Sequence, residues 1–157
     1  MVEAILRRTT FVVANAEESA AFYMNVFGWT KWYENKAVPV HEKFPPAAAH
    51  NAPCHLILLK VEHPDIGMLG LMQYLDPPFD IGIKKNRTKV QLGETVLVLE
   101  SKDVDGCYER AVKAGATIVA PPTDWDVPGF DGKTKIMLRT MSMFDPNGIY
   151  MEVNHRK

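Results

Sequence analysis

Cysteine and histidine, two side chains that often bind metals or act in catalysis, are few and widely separated in this sequence. The two cysteines, Cys54 and Cys107, have a spacing that fits neither a zinc knuckle nor a Cys-x-x-Cys redox pair. We interpret both as small packed hydrophobic side chains. Of the five histidines, His55 begins a predicted strand, and the other four fall in predicted loops, a turn or the C-terminal tail: His41, His50, His63 and His155. These positions do not have the spacing of a metal-binding cluster.

Two stretches near the C-terminal end carry polar or adaptable side chains at every second position. One holds Met137, Arg139, Met141 and Met143, and the other holds Tyr150, Glu152 and Asn154. Residues i and i+2 of a strand share a face, so each set is predicted to lie on one face of its strand. Methionine adapts to irregular shapes and to aromatic ligands. The pattern indicates either a small-molecule pocket or side chains that fill the space between a sheet and a helix, and both interpretations stay open.

The overall composition narrows the classes of protein to consider. The 157 residues carry a net charge of −1 and are 46% hydrophobic, which suits one compact domain or two small duplicated modules. A nucleic-acid binder would usually show a basic surplus or stripe, so we expect no nucleic-acid partner. No apolar run is long enough to span a membrane, and Glu3, Arg7 and Arg8 put charges among the first eight positions, where a signal peptide needs an apolar stretch. We therefore expect a cytoplasmic protein with no membrane partner.

The first half of the chain predicts a β-α-β-β-β order. Thr9, Phe11 and Val13 alternate with Arg8, Thr10 and Val12, which is the period of a strand with one packed face. Asn15 is a suitable helix N-cap, a helical stripe covers 16–27, and Gly28 ends that helix. Strands are then predicted around 29–34, 56–59 and 68–74.

The second half repeats the same order. A strand at 95–100 leads to Asp103 as an N-cap and to a helix over 104–114 that ends at Gly115. A short strand at 117–120, a loop at 121–132 that holds Trp125, and strands at 135–144 and 149–154 complete it. The two N-caps are 88 positions apart and the two glycines 87, which indicates an internal duplication. We predict one compact domain made of a first module (1–83), a linker (84–94) and a second module (95–157).

Three stretches resemble the vicinal oxygen chelate superfamily, which includes glyoxalase I, the bleomycin-resistance proteins and the extradiol dioxygenases. They are Ala20–Gly28, Asp103–Gly115 and Asp145–Glu152, which are similar to the family's first helix, its second helix and its Asp-Pro-x-Gly ending with a late glutamate. The resemblance covers nearly the whole chain. It implies an α+β fold in which duplicated β-α-β-β-β modules form curved mixed sheets around a central cavity, and it also implies a homodimer. It does not imply one reaction, because such folds host unrelated chemistries.

In the metal-dependent branches of that superfamily, four inward side chains hold a divalent ion. The corresponding positions here are Arg8 and Val96 in the first strands, Gly70 (or Leu71 in a register shifted by one) in the last strand of module one, and Glu152 in the last strand of module two. One carboxylate does not make such a site, so we expect no metal and no cofactor. On the family's geometry, Arg8 and Glu152 face each other. They form either a catalytic pair that binds and protonates a ligand or a salt bridge that replaces the ion.

The resemblance also suggests which residues line a ligand pocket. The predicted ligand-binding residues are Thr10, Met72, Val98, Trp125, Arg139, Met141, Met143 and Tyr150. Two functions remain open at this point. One is a metal-independent lyase or isomerase that acts on a small, partly apolar carbonyl or phenolic compound through Glu152 and Arg8. The other is a protein that binds and sequesters a drug or metabolite without changing it.

Overall fold

The computed structural model describes residues 4–39, 53–63, 66–75 and 87–157. The chain forms two compact units, 1–83 (the first unit) and 84–157 (the second unit). The elements of the first unit are β1 (Arg8–Val12), α1 (Ala16–Phe27), β2 (Thr30–Val38), β3 (Cys54–Lys60) and β4 (Met68–Tyr74). Those of the second unit are β5 (Val96–Glu100), α2 (Val104–Lys113), β6 (Thr117–Pro128), β7 (Lys135–Phe144) and β8 (Tyr150–Arg156).

The two units share one topology. Their four-stranded sheets have the orders β1-β4-β3-β2 and β5-β8-β7-β6. In each sheet the first strand pairs in parallel with the last, and the other pairs are antiparallel. The predicted α+β fold with duplicated β-α-β-β-β modules is therefore confirmed.

Helix α1 covers one face of the first sheet. Asn15 Oδ1 accepts hydrogen bonds from the backbone N–H groups of Glu17 and Glu18 at 3.0 and 3.2 Å, and Gly28 ends the helix in the left-handed conformation with φ 72°. The covered face of the sheet and the buried face of the helix form the core. Its residues include Phe11, Val13, Ala20, Tyr23, Val26, Ile57, Leu59 and Leu71. Phe11 and Val13 are buried while Val12 is 40% exposed, as the alternation in the sequence predicts.

Helix α2 covers one face of the second sheet in the same way. Asp103 caps it by accepting a hydrogen bond from the Gly106 N–H at 3.0 Å, and the helix contacts β6, β7 and β8. The fully buried side chains beneath it are mostly methionine and valine. They include Met141, Met143, Met151 and Val153, together with Ala111 from the helix. Burying one such large apolar side chain stabilises the fold by about 1.5–3 kcal/mol.

Strand β6 is longer than the sequence predicts, because the segment expected to be a loop at 121–132 is strand as far as Pro128. Its pairing with β7 shifts register on either side of Ala120, so that Pro121 and Pro122 fall at an irregularity of an edge strand. Proline is tolerated there because a missing N–H costs little at a sheet edge or a bulge. Trp125 consequently lies within β6 rather than in the predicted loop.

Arg87 is attached to the rest of the second unit. The Arg87 guanidinium donates a hydrogen bond to the Gly148 carbonyl at 3.0 Å, lies 5.0 Å from the Phe144 ring centre and forms an ion pair with Glu94. The predicted linker bounds of 84–94 stay a prediction.

Neither helix in the described part of the chain has the length and apolar character that crossing a bilayer requires.

Candidate functional site

The face of the first sheet that α1 does not cover carries Arg8, Thr10 and Met72. Thr10 lies opposite Gly70 in the parallel pair β1–β4, and Met72 lies opposite Val12. Arg8 and Thr10 are exposed, whereas Met72 is half-buried against Cys54 and Tyr74. Within the described part of the chain, the Arg8 guanidinium has no hydrogen bond or ion pair.

The uncovered face of the second sheet carries Glu152. The register places Glu152 between Val98 of β5 and Ser142 of β7. The Tyr150 hydroxyl donates a hydrogen bond to Glu152 Oε1 at 3.2 Å. Desolvation raises the pKa of Tyr150 above its usual value of 10, and the nearby Glu152 charge raises it further. Tyr150 therefore keeps its proton at neutral pH and remains a donor to the carboxylate.

Two consecutive hydrogen bonds between polar side chains on this face link three strands. Trp125 Nε1 of β6 donates to Thr140 Oγ1 of β7 at 2.8 Å, and Thr140 Oγ1 donates to Asn154 Oδ1 of β8 at 2.6 Å. Asn154 lies two residues after Glu152 on the same strand, so their side chains share a face. Trp125 is 47% exposed and Val98 is 67% exposed, which leaves aromatic and apolar surface beside the polar groups.

The structure corrects the placement of three predicted ligand-binding residues, Arg139, Met141 and Met143. The antiparallel register pairs Met141 with Val153 and Met143 with Met151, and both methionines are fully buried beneath α2. They lie on the face opposite to Glu152. The period of two shows which residues of one strand share a face. Only the register between neighbouring strands shows which residues of two strands lie on the same face of the sheet.

Arg139 also lies on the helix-covered side and has a structural role. Its Nε donates to Asp105 Oδ2 in the first turn of α2 at 2.7 Å, and its Nη1 donates to Asp124 Oδ1 of β6 at 3.1 Å. The hydrogen bonds to Asp105 and Asp124 raise the pKa of Arg139. This arginine therefore ties α2 to two strands and does not share a face with Glu152.

The residues that the sequence analysis missed are Thr140 and Ser142. They alternate with the methionines of β7, and the register brings them to the Glu152 face. Their alternation with Met141 was visible in the sequence, but the long-range pairing of β7 with β8 was not.

A cluster of titratable groups lies on the helix-covered side of the first unit. Single oxygen or nitrogen atoms of Glu17, Glu34 and His55 lie within 4.8 Å of one another. The Lys31 ammonium contacts Glu17 and Glu34 at 3.0 and 2.9 Å, and His55 Nε2 lies 2.9 Å from Glu34 Oε1. Since Lys31 already supplies a positive charge to both carboxylates, these residues form an ion-pair cluster between α1, β2 and β3.

The chain belongs to the Glyoxalase/Bleomycin resistance protein/Dioxygenase superfamily, whose family model matches residues 5–153. A glyoxalase family protein from Bacillus cereus is 16% identical with a TM-score of 0.71, and the match covers 99% of this chain and 98% of that one. Among curated proteins, none matches this chain in sequence.

Two further solved structures have the same fold. The fosfomycin resistance protein FosX from Listeria monocytogenes, solved with Mn(II) and a sulfate ion, is 13% identical with a TM-score of 0.54 over 99% of this chain and 93% of that one. An integron cassette protein from V. cholerae is 21% identical with a TM-score of 0.54, and the match covers 99% and 97% of the two chains. At these identities the likeness concerns the fold alone.

The residues at the family's metal-ligand positions do not fit a divalent ion. The pairing of β5 with β8 sets Glu152 opposite Val98, and the equivalent pairing of β1 with β4 sets Gly70 opposite Thr10. Gly70 thus occupies the place of Glu152 in the other unit and offers no donor atom. A Cβ added there would lie 2.5 Å from Thr10 Oγ1, and Arg8 and Val96 offer no ligand either. Glu152 alone supplies an oxygen.

Proposed function

We propose that this protein is a lyase or isomerase that acts on a small, partly apolar carbonyl or phenolic compound, with Glu152 as its proton-transferring group. The observation that carries the proposal is the setting of this carboxylate. It lies on a sheet face that α2 does not cover, accepts a hydrogen bond from the Tyr150 hydroxyl, and is flanked by the exposed Val98. A half-buried carboxylate beside apolar surface is suited to remove a proton from a bound substrate.

The two oxygens of Glu152 have different surroundings. Oε1 accepts the hydrogen bond from Tyr150, whereas Oε2 has no protein partner within the described residues. In the proposed step, Oε2 takes a proton from the carbon next to a substrate carbonyl. The electron pair of that C–H bond forms a C=C bond, and the π pair of the carbonyl moves onto its oxygen to give an enolate. Return of the proton to another carbon completes an isomerisation. Departure of a group from the neighbouring carbon completes an elimination.

Arg8 is the second residue of the proposal. Its guanidinium is exposed at the start of β1 and has no protein partner among the described residues. A free guanidinium binds carboxylate, enolate or phenolate oxygens through charge-assisted hydrogen bonds. We propose that it binds an anionic oxygen of the ligand. That Arg8 and Glu152 act together stays a prediction that rests on the family resemblance.

Binding without catalysis is the second candidate function. The observation that favours it is the apolar and aromatic exposure of the same sheet face, where Val96 is 41%, Val98 67% and Trp125 47% exposed. A protein that only sequesters a ligand needs shape and aromatic surface but no proton-transfer group.

Deuterium exchange into a simple aryl ketone distinguishes the two functions. Hydroxytetralone, a bicyclic phenol with one ketone, exchanges the protons next to its carbonyl when a base removes them. We expect the protein to accelerate this exchange in deuterium oxide, and we expect Glu152→Gln to slow it by about 10²–10⁴-fold while the ketone still binds. The matched control is Glu100→Gln, because Glu100 is on the same sheet but accepts a hydrogen bond from the Arg156 backbone N–H.

The outcomes separate the candidates. Binding of hydroxytetralone with no acceleration of exchange by the unaltered protein contradicts the enzyme and supports sequestration. Acceleration that persists in Glu152→Gln contradicts the assignment of Glu152.

A further inference from the structure

The hydrogen bonds between Trp125, Thr140 and Asn154 run in one direction, from the indole to the hydroxyl and from the hydroxyl to the amide oxygen. An indole N–H can only donate, so Thr140 Oγ1 accepts from Trp125 Nε1 over 2.8 Å. A hydroxyl has one proton, and Thr140 gives it to the Asn154 side chain over 2.6 Å. The atom that receives it must be the amide oxygen, because the amide nitrogen accepts no hydrogen bond. The Thr140 hydroxyl thus holds the amide oxygen of Asn154, while the Trp125 N–H occupies one lone pair of that hydroxyl.

The consequence for Asn154 is that its NH₂ group is left for a ligand. The amide oxygen is occupied by Thr140, and within the described part of the chain no acceptor bonds to Nδ2. Asn154 is half-buried and lies two residues after Glu152 on the same face of β8. A pair of N–H donors therefore stands beside the Glu152 carboxylate, which is an acceptor.

The charges around Asn154 select the kind of oxygen that it binds. Glu100 lies directly opposite Asn154 in the β5–β8 pair, and Glu152 precedes it on the same face, while Arg156 follows it. The Glu100 carboxylate already accepts from the Arg156 backbone N–H and lies 3.4 Å from His155 Nδ1. The Glu152 carboxylate is therefore the charge that disfavours a second anionic oxygen and favours a neutral carbonyl. The half-exposed Trp125 ring offers a surface on which a planar aromatic ligand can stack.

We propose that Asn154 donates a hydrogen bond to the neutral carbonyl oxygen of a planar aromatic ligand on this sheet face, with Thr140 and Trp125 as positioning residues. The inference rests on the proposed function, because it names the substrate class for the Glu152 face. It adds that the ligand is an aryl ketone or a similar neutral carbonyl compound rather than an aryl carboxylate.

The test compares three probe compounds by NMR titration of the full chain. Hydroxytetralone carries the ketone, hydroxytetralin lacks only the ketone, and hydroxynaphthoic acid carries a carboxylate instead. We expect hydroxytetralone to bind about tenfold more tightly than hydroxytetralin, the effect of one hydrogen bond, and more tightly than the acid. The Asn154 side-chain N–H signals are expected to shift with the ketone and to stay in place with hydroxytetralin.

Substitutions at Asn154, Thr140 and Thr123 distinguish a role in orienting the Asn154 amide from a general loss of structure. Asn154→Asp is expected to remove the preference for the ketone because it replaces the donor by an acceptor. Thr140→Val is expected to weaken that preference because the amide is no longer oriented, and Thr140→Ser is expected to keep it. The matched control is Thr123→Val. Thr123 lies opposite Thr140, but its hydroxyl donates to the Pro121 carbonyl, so the preference should be unchanged.

The possible failures are distinguishable. Equal binding of hydroxytetralone and hydroxytetralin, tighter binding of the acid, or an unchanged ketone preference in Asn154→Asp overturns the inference and leaves the proposed function standing. If none of the three compounds shifts the signals of the Glu152 face, the inference and the proposed function fail together.

Discussion

Gly70 shows how a single missing side chain decides what a site can hold. Its position corresponds to Glu152 of the other unit, yet the Thr10 side chain of the neighbouring strand fills the space where a Cβ would stand. Restoring an acidic ligand at position 70 would therefore require Thr10 to move. The absence of a family-type ligand set in this chain thus involves packing as well as residue identity.

The first prediction follows from this close approach. Gly70→Ala is expected to reduce the free energy of unfolding by about 1–3 kcal/mol, because the new methyl group overpacks a β-branched side chain. Urea denaturation followed by circular dichroism measures the change. Adding Thr10→Ala should recover part of the loss, since it removes the atom that the methyl group meets. A double variant as unstable as Gly70→Ala alone would contradict this explanation.

The second prediction concerns the ion-pair cluster around Glu34. The hydrogen bond from Lys31, and then that from His55, lower the pKa of Glu34 from 4.5 to about 2. A lowered pKa in the folded state stabilises the fold above the unfolded-state pKa, and this contribution is lost as the pH falls through the folded-state pKa. We expect the unaltered protein to lose more stability than Glu34→Gln between about pH 5 and pH 2.

Urea unfolding at a series of pH values measures this difference. The matched control is Glu62→Gln, because the exposed Glu62 has no hydrogen bond or ion pair within the described residues, and its pH dependence should follow that of the unaltered protein. Parallel pH curves for Glu34→Gln and the unaltered protein would contradict the assignment.

At the scale of the elements, the caps of the helices are the clearest link between sequence and structure. The third prediction is that Asn15→Ala destabilises the protein by about 1 kcal/mol, because two backbone N–H groups of α1 lose their acceptor. Thermal and urea unfolding measure the effect, and Asn15→Asp should retain most of the stability. Asn25→Ala, on the exposed side of the same helix, is the control and should not destabilise. Equal stability of Asn15→Ala and the unaltered protein would contradict the stabilising role of the Asn15 cap.

The sequence predicted those elements whose signals are local. The bounds of α1 at 16–27 were correct because Asn15 and Gly28 mark its ends through their own side-chain and backbone chemistry. The length of β6 was missed because Pro121 and Pro122 indicate a loop, whereas the pairing of an edge strand with β7 accommodates them. Strand pairing depends on residues far apart in the chain, so no local pattern reveals it.

The same reason explains what could be predicted of the candidate site. Tyr150, Glu152 and Asn154 were correctly placed on one face because the period of two is a property of a single strand. Met141 and Met143 were assigned to that face wrongly, because the register between β7 and β8 was needed to decide it. The Thr140 link between Trp125 and Asn154 depends on the same register and on the full length of β6.

For the whole molecule, the fourth prediction is that the purified protein holds no stoichiometric divalent metal. We expect zinc, nickel, manganese and iron to add little thermal stability. A ligand present at a hundred times its dissociation constant would add about 2.7 kcal/mol, so tight binding would be visible. Elemental analysis showing one metal per chain would contradict the prediction. His55→Gln and Glu152→Gln would then show which group of residues holds the ion.

Dimerisation also concerns the whole molecule and stays a prediction. It rests on the family resemblance and on the open edges that β1, β2, β5 and β6 present in their own sheets. Sedimentation at micromolar concentration measures it.

Each unit contains one buried cysteine, and the rate at which that cysteine reacts with a thiol reagent reports how often the unit opens. Cys54 lies in the first unit and Cys107 in the second, and both are at most 2% exposed. Burial raises the pKa of the Cys54 thiol, so the reactive thiolate is scarce as well as inaccessible. An alkylating reagent can therefore modify either cysteine only when its surroundings open. After proteolytic digestion of the labelled protein, Cys54 and Cys107 lie in different peptides. Mass spectrometry would therefore measure the opening of each unit separately, without any engineered residue.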